Sequence, residues 1–448
     1  MVKAFKSNLS ENERYFLYDI ESGSLHDVDY ATFLLAKFRY DILDEIEADA
    51  FSKLDGAVVQ EVKLEIEEME KEGLLNSPTE IYKIPFTGEI KAMCLHICHD
   101  CNLRCPYCFA HSGTYNTAKD YMTFEVGKSA IDMLIKMSGV RKNIEVDFFG
   151  GEPLMNMGVV KQIVEYAQNA VKSAGKHITF TMTTNGVLLN DENRKWLNEN
   201  MDNVVISIDG REEVHDALRV SANGKGSHAI ALKNALEFRK IRGDKRYYIR
   251  GTFTQKNLDF ATDALYLNDL GFDQISIEPV VLDENDPLAI KTEDLETVFA
   301  QYDILAKEYV KRRRGDKWFN YFHFMLDLKH GPCITKRLRG CGAGSEYVAV
   351  TPVGDIYPCH QFVTDKDYYM GNVLSGEFNK EIQRKFFDAN IYEKEDCQNC
   401  VAKYYCSGGC KANSLHFAGD FKKSYKLSCE MMIKRFLSSL AIYAEEEK

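Results

Sequence analysis

Six times between residues 90 and 311 a short apolar, β-rich run gives way to a longer amphipathic stretch, and this alternation limits the fold more than any other feature of the chain. The runs Ile90–Ile97, Ile144–Phe149, Ile178–Thr183, Val204–Ile208, Tyr248–Phe253 and Ile275–Val280 read as strands. Helical spacing fits Phe124–Met137, Val159–Ser173, Asp191–Glu199, Ala229–Ile241, Leu258–Leu270 and Glu293–Lys311. Strands that alternate with helices of this length predict βαβ units and a parallel sheet.

Directly after the first strand stands Cys-Asn-Leu-Arg-Cys-Pro-Tyr-Cys, which places Cys101, Cys105 and Cys108 at C-x3-C-x2-C spacing. A protein-held [4Fe–4S] cube uses four cysteine thiolates. A compact triplet therefore leaves one iron free to bind something else. Tyr107, beside the last cysteine, suits a packed and partly water-shielded site. Two plainer readings exist: three buried core cysteines, and zinc. Structural zinc sites pair their ligands and need a second pair downstream, so the triplet fits zinc poorly.

Further motifs follow at regular spacing: Gly150-Gly151-Glu152-Pro153, Thr183-Thr184-Asn185-Gly186 and Ser207-Ile208-Asp209-Gly210. Each begins where a predicted strand ends. Singly they are weak, because Gly pairs and Asn-Gly are ordinary turn signals. In this order after the triplet they resemble the radical S-adenosylmethionine (SAM) superfamily. In that family the open iron chelates the amino and carboxylate groups of SAM, and an electron from the cluster cleaves the sulfonium to methionine and a 5′-deoxyadenosyl radical. The resemblance implies an α/β fold with a partial (β/α)6 TIM barrel, whose sites lie at the C-terminal strand ends. It makes Cys101, Cys105 and Cys108 the catalytic cluster ligands. Tyr107, Gly150, Gly151, Glu152, Thr183, Asn185, Ser207, Asp209 and Arg219 become the candidate SAM contacts. For Arg219 a surface salt bridge is the plainer alternative.

A second group of cysteines runs Cys341-x12-Gly354-x4-Cys359, then Cys397-x2-Cys400-x5-Cys406-x3-Cys410, then Cys429 eighteen residues on. This order resembles the SPASM extension of radical SAM peptide-modifying enzymes, which binds two auxiliary [4Fe–4S] clusters. The resemblance assigns Cys397, Cys400, Cys406 and Cys429 to one cluster. It assigns Cys341, Cys359 and Cys410 to the other, with Cys333 the candidate fourth ligand. Three clusters and SAM are thus the expected cofactors. Zinc knuckles are the alternative for this region. Cys94 and Cys98, on the first strand, read as core. A disulfide framework is not expected, because no secretory segment is evident and disulfides are rare in the cytosol, the expected location.

Residues 1–80 read as a separate module. Tyr15–Asp19 and Ser24–Val28 flank Glu21-Ser22-Gly23 as a hairpin, and helical patterns follow at Tyr30–Asp41, Ala50–Leu54 and Val58–Glu72, stopped by Gly73. A hairpin with three helices looks like a winged-helix unit. Its last helix, Glu61 to Glu72, is strongly acidic, and the 448-residue chain carries a net charge of −12. Phosphates would be repelled, so peptide rather than nucleic acid is the expected partner, through an added strand on the hairpin edge. No apolar run is long enough to span a membrane. The basic run Lys311 to Arg314 reads as cations at a helix end in solvent. The acidic end Glu445 to Lys448 reads as a frayed tail. Residues 88–315 form the expected barrel, and 316–448 the SPASM domain.

Together these parts resemble enzymes that install thioether crosslinks in ribosomally made peptides, most closely maturases of SCIFF peptides, which carry six cysteines. That likeness rests on Cys94-Leu95-His96-Ile97-Cys98-His99-Asp100-Cys101 and on Tyr357-Pro358-Cys359-His360-Gln361-Phe362. It implies a cysteine-rich precursor peptide whose leader binds the N-terminal module, and an electron donor such as a flavodoxin or ferredoxin. Anaerobic sulfatase-maturing enzymes share the barrel and SPASM cysteines and are the second reading. They use an Asp directly after the cysteine equivalent to Cys359, where this chain has His360. An iron–sulfur or zinc winged-helix DNA sensor is a third reading, which the acidic helix disfavours.

Overall fold

The computed structural model describes residues 1–10 and 12–447. The first elements in the chain are strands β1 (Val2–Ser7), β2 (Arg14–Asp19) and β3 (Leu25–Val28), then helices α1 (Tyr30–Tyr40), α2 (Glu45–Ser52) and α3 (Gly56–Lys71). The alternating region follows as β4 (Ala92–Cys98), α4 (Phe124–Met137), β5 (Asn143–Gly150), α5 (Met157–Ser173), β6 (His177–Thr184), α6 (Asp191–Asn200), β7 (Asn203–Ser207), α7 (Glu212–Leu218), α8 (His228–Arg242), β8 (Arg246–Phe253), α9 (Phe260–Asp269), β9 (Gln274–Pro279) and α10 (Leu295–Arg313). The C-terminal part contains β10 (Asn320–Tyr321), α11 (Ile334–Arg339), β11 (Tyr347–Val350), β12 (Asp355–Tyr357), β13 (Gly371–Asn372), β14 (Glu377–Phe378), α12 (Lys380–Asp388), α13 (Glu395–Gln398), α14 (Lys403–Cys406), α15 (Lys411–Ala418) and α16 (Lys426–Glu446).

Strands β4 to β9 lie side by side in sequence order, each parallel to the next. The sheet extends at both edges: β10 joins β9 in parallel, and β11 joins β4 in parallel before the antiparallel ribbon β12–β14. The cysteine-rich region is therefore hydrogen-bonded into the sheet beside the strand that leads to the triplet.

Alternation along each strand sorts the two faces. Ile144, Val146 and Phe148 of β5, Ile178, Phe180 and Met182 of β6, and Val204 and Ile206 of β7 pack with the helices in one large core. On α4 the matching residues are Val126, Ala130, Ile131 and Leu134, at helical spacing; Thr123 caps the first turn. The other face carries Glu145, Asp147, Phe149, Thr179, Thr181, Thr183, Val205, Ser207, Tyr248, Arg250 and Thr252, which are less buried. This face is more polar and incompletely covered.

The N-terminal module has three antiparallel strands, in the order β1-β2-β3, where the hairpin reading expected two. Strand β1 escaped notice because its sequence, Val-Lys-Ala-Phe-Lys-Ser, is interrupted by lysines. Helix α2 begins five residues earlier than its apolar residues indicated, fixed by a capping box between Asp44 and Glu47. The module is not free-standing. Phe5, Phe16, Tyr18 and Ile20 share one core with Leu338, Ile391, Val401, Ala402, Tyr404, Phe436 and Leu440 of the C-terminal region. Each such large apolar side chain, fully buried, contributes about 1.5–3 kcal/mol.

Helix α16 ties the parts together. It packs along α10, and its end is ordered rather than frayed: Glu445 is buried and pairs with Arg14 of β2 and with Arg314, 3.1 Å away. Arg313 pairs with Glu446, and Arg312 with Asp269 at 2.9 Å, so the basic run is engaged rather than left to solvent. Lys448, the last residue of the expected tail, lies outside the described residues. Midway, Arg435 donates to His323 Nδ1 at 3.0 Å, which leaves Nε2–H to donate to Ser276 of β9 at 3.3 Å. Burial, reinforced by Arg435, pulls the His323 pKa down to about 3. The folded state thus requires neutral imidazole, while the unfolded chain gains a proton below about pH 6.5. Stability from this group is complete above that pH and is lost as pH falls toward 3, by up to about 1.4 kcal/mol per pH unit. Urea unfolding of the chain between pH 7 and 4 is expected to show this loss, with a shallower slope in His323→Gln.

Candidate active site

The triplet loop is seated on the backbone of the next strand end. Gly151 N–H donates to Cys98 O and Glu152 N–H to Asp100 O, both at 2.9 Å. A Cβ on Gly151 would stand 1.9 Å from Asp100 O, and one on Gly150, whose φ is 122°, would stand 2.4 Å from Cys98 O. The glycines therefore serve close approach of the cysteine loop itself. Asp100 fixes the same loop by accepting from Cys101 N–H at 2.9 Å and from Tyr121 at 3.0 Å, with Lys119 at 2.9 Å. The loop after α7 clamps the other side: Arg104 N–H donates to Val220 O at 2.7 Å and Ala222 N–H to Asn102 O at 3.1 Å.

Cys101, Cys105 and Cys108 come together here and interact electrostatically. Burial pushes the Cys101 thiol up to about 12 and Cys105 up to about 11, with Arg219 pulling Cys105 the other way. Coordination to a metal would deprotonate these thiols. Cys101 Sγ also receives Leu103 N–H at 3.4 Å and Asn185 Nδ2 at 3.7 Å. Hydrogen bonds to cluster sulfur ligands are a known lever on reduction potential.

Around this loop the predicted polar residues form two groups. Glu152 is buried; its Oε1 accepts from Thr184 at 2.7 Å and Leu154 N–H at 3.1 Å, and its Oε2 from Asn185 N–H at 2.8 Å. A carboxylate has room for about four donors, so one position on Oε2 remains. Burial raises its pKa to about 7. In the second group Tyr107 donates to Asp209 Oδ2 at 2.7 Å, Thr252 N–H to Oδ1 at 2.9 Å, and Arg219 Nε sits 3.0 Å from Oδ1. Arg219 lies over the Tyr107 ring, 5.5 Å from its centre. Its side chain is 11% exposed, and its Nε makes no aligned hydrogen bond. Asp209 faces Tyr107, Thr252 and Arg219. Thr183 and Ser207 lie on the open face of the sheet, and Thr183's neighbour Thr184 makes the contact to Glu152. Thr184 and Asn102, which accepts from Asn185 at 2.7 Å, were not among the predicted residues. Both lie inside the motifs, so their proximity was the available signal.

The second cysteine group divides in two. Cys341, Cys359 and Cys410 interact with one another, and Cys359 shares an apolar cluster with Ala110, Tyr115 and Phe362, against which Cys108 packs. Cys333 is exposed, at the start of α11. Cys397, Cys400, Cys406 and Cys429 line one cavity of about 620 Å³. None of the thirteen cysteines is paired in a disulfide. Among the described residues no three His, Cys, Asp or Glu side chains converge on one point as ligands of a single ion.

Two buried lysines supply a test of what these cavities hold. Lys394 Nζ bonds only to Gly408 O (2.7 Å), Ser414 Oγ (2.7 Å) and Lys423 O (3.3 Å), and Lys411 Nζ to Arg339 O (3.0 Å). Neither has a carboxylate within 4 Å among the described residues. Lys394 interacts with Cys397, Cys406, Cys429 and Cys410, and Lys411 with Cys341 and Cys410. Buried ammonium groups without a counter-charge are costly. The negative charge of thiolate-held clusters on both sides would satisfy them, so the residues present fit iron–sulfur groups. Sequence reading missed both lysines, although each stands within three residues of a cluster cysteine.

Comparison with known proteins agrees with this geometry. Residues 88–232 match a family described as "4Fe-4S single cluster domain", and residues 341–401 match SPASM, "Iron-sulfur cluster-binding domain". A cysteine-type anaerobic sulfatase-maturating enzyme of Clostridium novyi is 26% identical over 334 residues, covering 70% of this chain and 86% of that protein. The fold of native anSMEcpe with bound AdoMet superposes with a TM-score of 0.65 at 19% identity, covering 80% of this chain and all of that one. Streptococcus suis SuiB, in its structure with precursor peptide SuiA, gives a TM-score of 0.54 at 15% identity and covers 96% of this chain and 98% of that one.

The chain is a radical SAM enzyme. It carries a C-terminal, cysteine-rich SPASM domain and binds SAM and iron–sulfur clusters.

The seating of the triplet loop is directly testable. Gly151→Ala is expected to lower the iron content of the anaerobically reconstituted chain by one cluster's share. Gly158→Ala, where an added Cβ meets nothing within 4 Å, is expected to leave it unchanged.

Proposed function

We propose that this enzyme forms thioether crosslinks in a cysteine-bearing peptide brought to the sheet's open face by the N-terminal module. The observation that carries the reading is the module itself, docked through a shared core onto the cysteine-rich region. The likeness to SuiB, solved with its precursor peptide, spans 96% of the chain and so includes the module, whereas that to anSMEcpe spans 80%. Among the described residues strand β3 pairs only with β2, which leaves its outer edge for an added strand of leader peptide. On this reading residues 1–80 are the leader-recognition module of winged-helix type, 88–315 a partial (β/α)6 barrel, and 316–448 the SPASM domain.

Bound at Cys101, Cys105 and Cys108, a [4Fe–4S] cluster together with SAM supplies a 5′-deoxyadenosyl radical. The chain's own residues hold and orient these groups. Glu152 offers its remaining oxygen position to the SAM ammonium. Arg219, with Tyr107 beneath it, offers a guanidinium to the carboxylate, and Asp209 positions both side chains. Asn185 and Ser207 face the adenosyl end. Cys397, Cys400, Cys406 and Cys429 hold one auxiliary cluster; Cys341, Cys359 and Cys410 hold the other, whose vacant iron would bind the substrate thiolate. In the overall reaction one C–H and one S–H bond of the peptide are lost and a C–S bond forms. The carbon's hydrogen atom would end on 5′-deoxyadenosine, the thiol's proton would pass to solvent, and the one remaining electron would be taken up by the auxiliary clusters. The substrate is of SCIFF type, with several cysteines.

Formylglycine formation is the second reading, and the relatives' names support it more directly than crosslinking: the Clostridium novyi protein is a sulfatase-maturating enzyme. Against it stands His360, half-buried against Phe149 and Phe109 with Nδ1 covered and unpartnered, at the position where that chemistry employs a carboxylate.

Anaerobic incubation with a synthetic cysteine-rich precursor, followed by mass spectrometry, separates the two. Crosslinking predicts a loss of two hydrogens per modification and a cysteine protected from alkylation. A hydrazide-reactive aldehyde in place of cysteine would establish the second reading. For the vacant iron, Cys333→Ala is expected to leave all cluster signals in place; loss of one whole cluster would show that Cys333 is a ligand.

A further inference from the structure

The cavity lined by Cys397, Cys400, Cys406 and Cys429 is not built by the SPASM domain alone. Met1, Val2, Lys3, Ile20, Tyr40 and Asp41 of the N-terminal module complete its wall. One side chain of the module reaches further. Glu21 stands on the turn between β2 and β3, and its side chain is only 4% exposed. It pairs with Lys403, 5% exposed, which lines the cavity and stands midway between Cys400 and Cys406. The other Glu21 oxygen accepts from Tyr404 at 2.7 Å, and Thr79 adds a third donor at 3.0 Å.

We propose that Glu21 is a positioning residue for the distal cluster: it holds and neutralises Lys403 in the wall of the four-cysteine cavity, so the charge around that cluster is set by the peptide-recognition module. The inference rests on the assignment of Cys397, Cys400, Cys406 and Cys429 to a cluster. A buried pair of this kind is sensitive to loss of one partner, because the remaining charge is left uncompensated. Without the Glu21 carboxylate, the Lys403 ammonium beside Cys400 is unopposed. A nearby cation favours the more negative, reduced state of a cluster. The turn that carries Glu21 also joins the strand proposed to receive the leader, so one short segment serves both the recognition edge and the cluster wall.

The test is an anaerobic redox titration, followed by electron paramagnetic resonance, of the fully reconstituted chain and its variants. In Glu21→Gln the midpoint potential of the distal cluster is expected to rise, while the other two stay in place. In Glu21→Gln with Lys403→Met it is expected to return toward the native value, because the stranded cation is gone. Cys400→Ala identifies the distal signal by removing it. Should Glu21→Gln fail to load that cluster, regained loading in the double variant supports the proposal, and failure in both overturns it. An unchanged distal potential in Glu21→Gln, or equal movement of all three clusters, overturns it as well. If Cys400→Ala keeps its full iron content, the cluster assignment itself is wrong, a failure distinct from that of the Glu21 contact.

Discussion

Two backbone hydrogen bonds, from Gly151 N–H to Cys98 O and from Glu152 N–H to Asp100 O, join the end of β5 to the loop that carries the three cysteines. The remaining site geometry depends on this seam. It places Glu152 so that Thr184, at the end of the next strand, and Asn185, just past it, can reach it. Asn185 in turn touches Cys101 and Asn102. The seam needs glycine because the backbones approach more closely than any Cβ allows. A motif that reads in sequence as a turn is thus a contact surface between two strand ends.

The second organising contact is the core shared by the N-terminal module and the cysteine-rich region. It makes the N-terminal module and the cysteine-rich region parts of one packed unit. Helix α16 extends that unit: Cys429 lies near its start, Arg435 in its middle meets His323 beside the sheet, and Glu445 at its end meets β2 and Arg314. Buried Lys394 and Lys411, lacking carboxylate partners, match negative charge in the cavities around them.

Much of this was legible from the sequence, for identifiable reasons. Helix α4 has the predicted bounds because a Thr cap, a clean apolar stripe and a following glycine coincide. The strands of the sheet differ by one or two residues at their ends, because burial on the helix-facing side is strict. Strand β1 was hidden because lysines break its apolar run and its partner follows a loop. Arg219 could be read as surface or site, since sequence does not report burial; its side chain is mostly covered and pairs with Asp209. The Glu21–Lys403 contact joins residues 382 positions apart, which no local pattern encodes. The acidic C-terminus looked like a solvated tail because charge run and exposure usually coincide. Here two arginines bury one of its carboxylates.

The most direct test of the central claim is reductive turnover by the anaerobically reconstituted chain. With dithionite and SAM, the account predicts release of methionine and 5′-deoxyadenosine, abolished in Cys105→Ala. Stoichiometric zinc in place of iron, with no adenosyl product from the native chain, would contradict it.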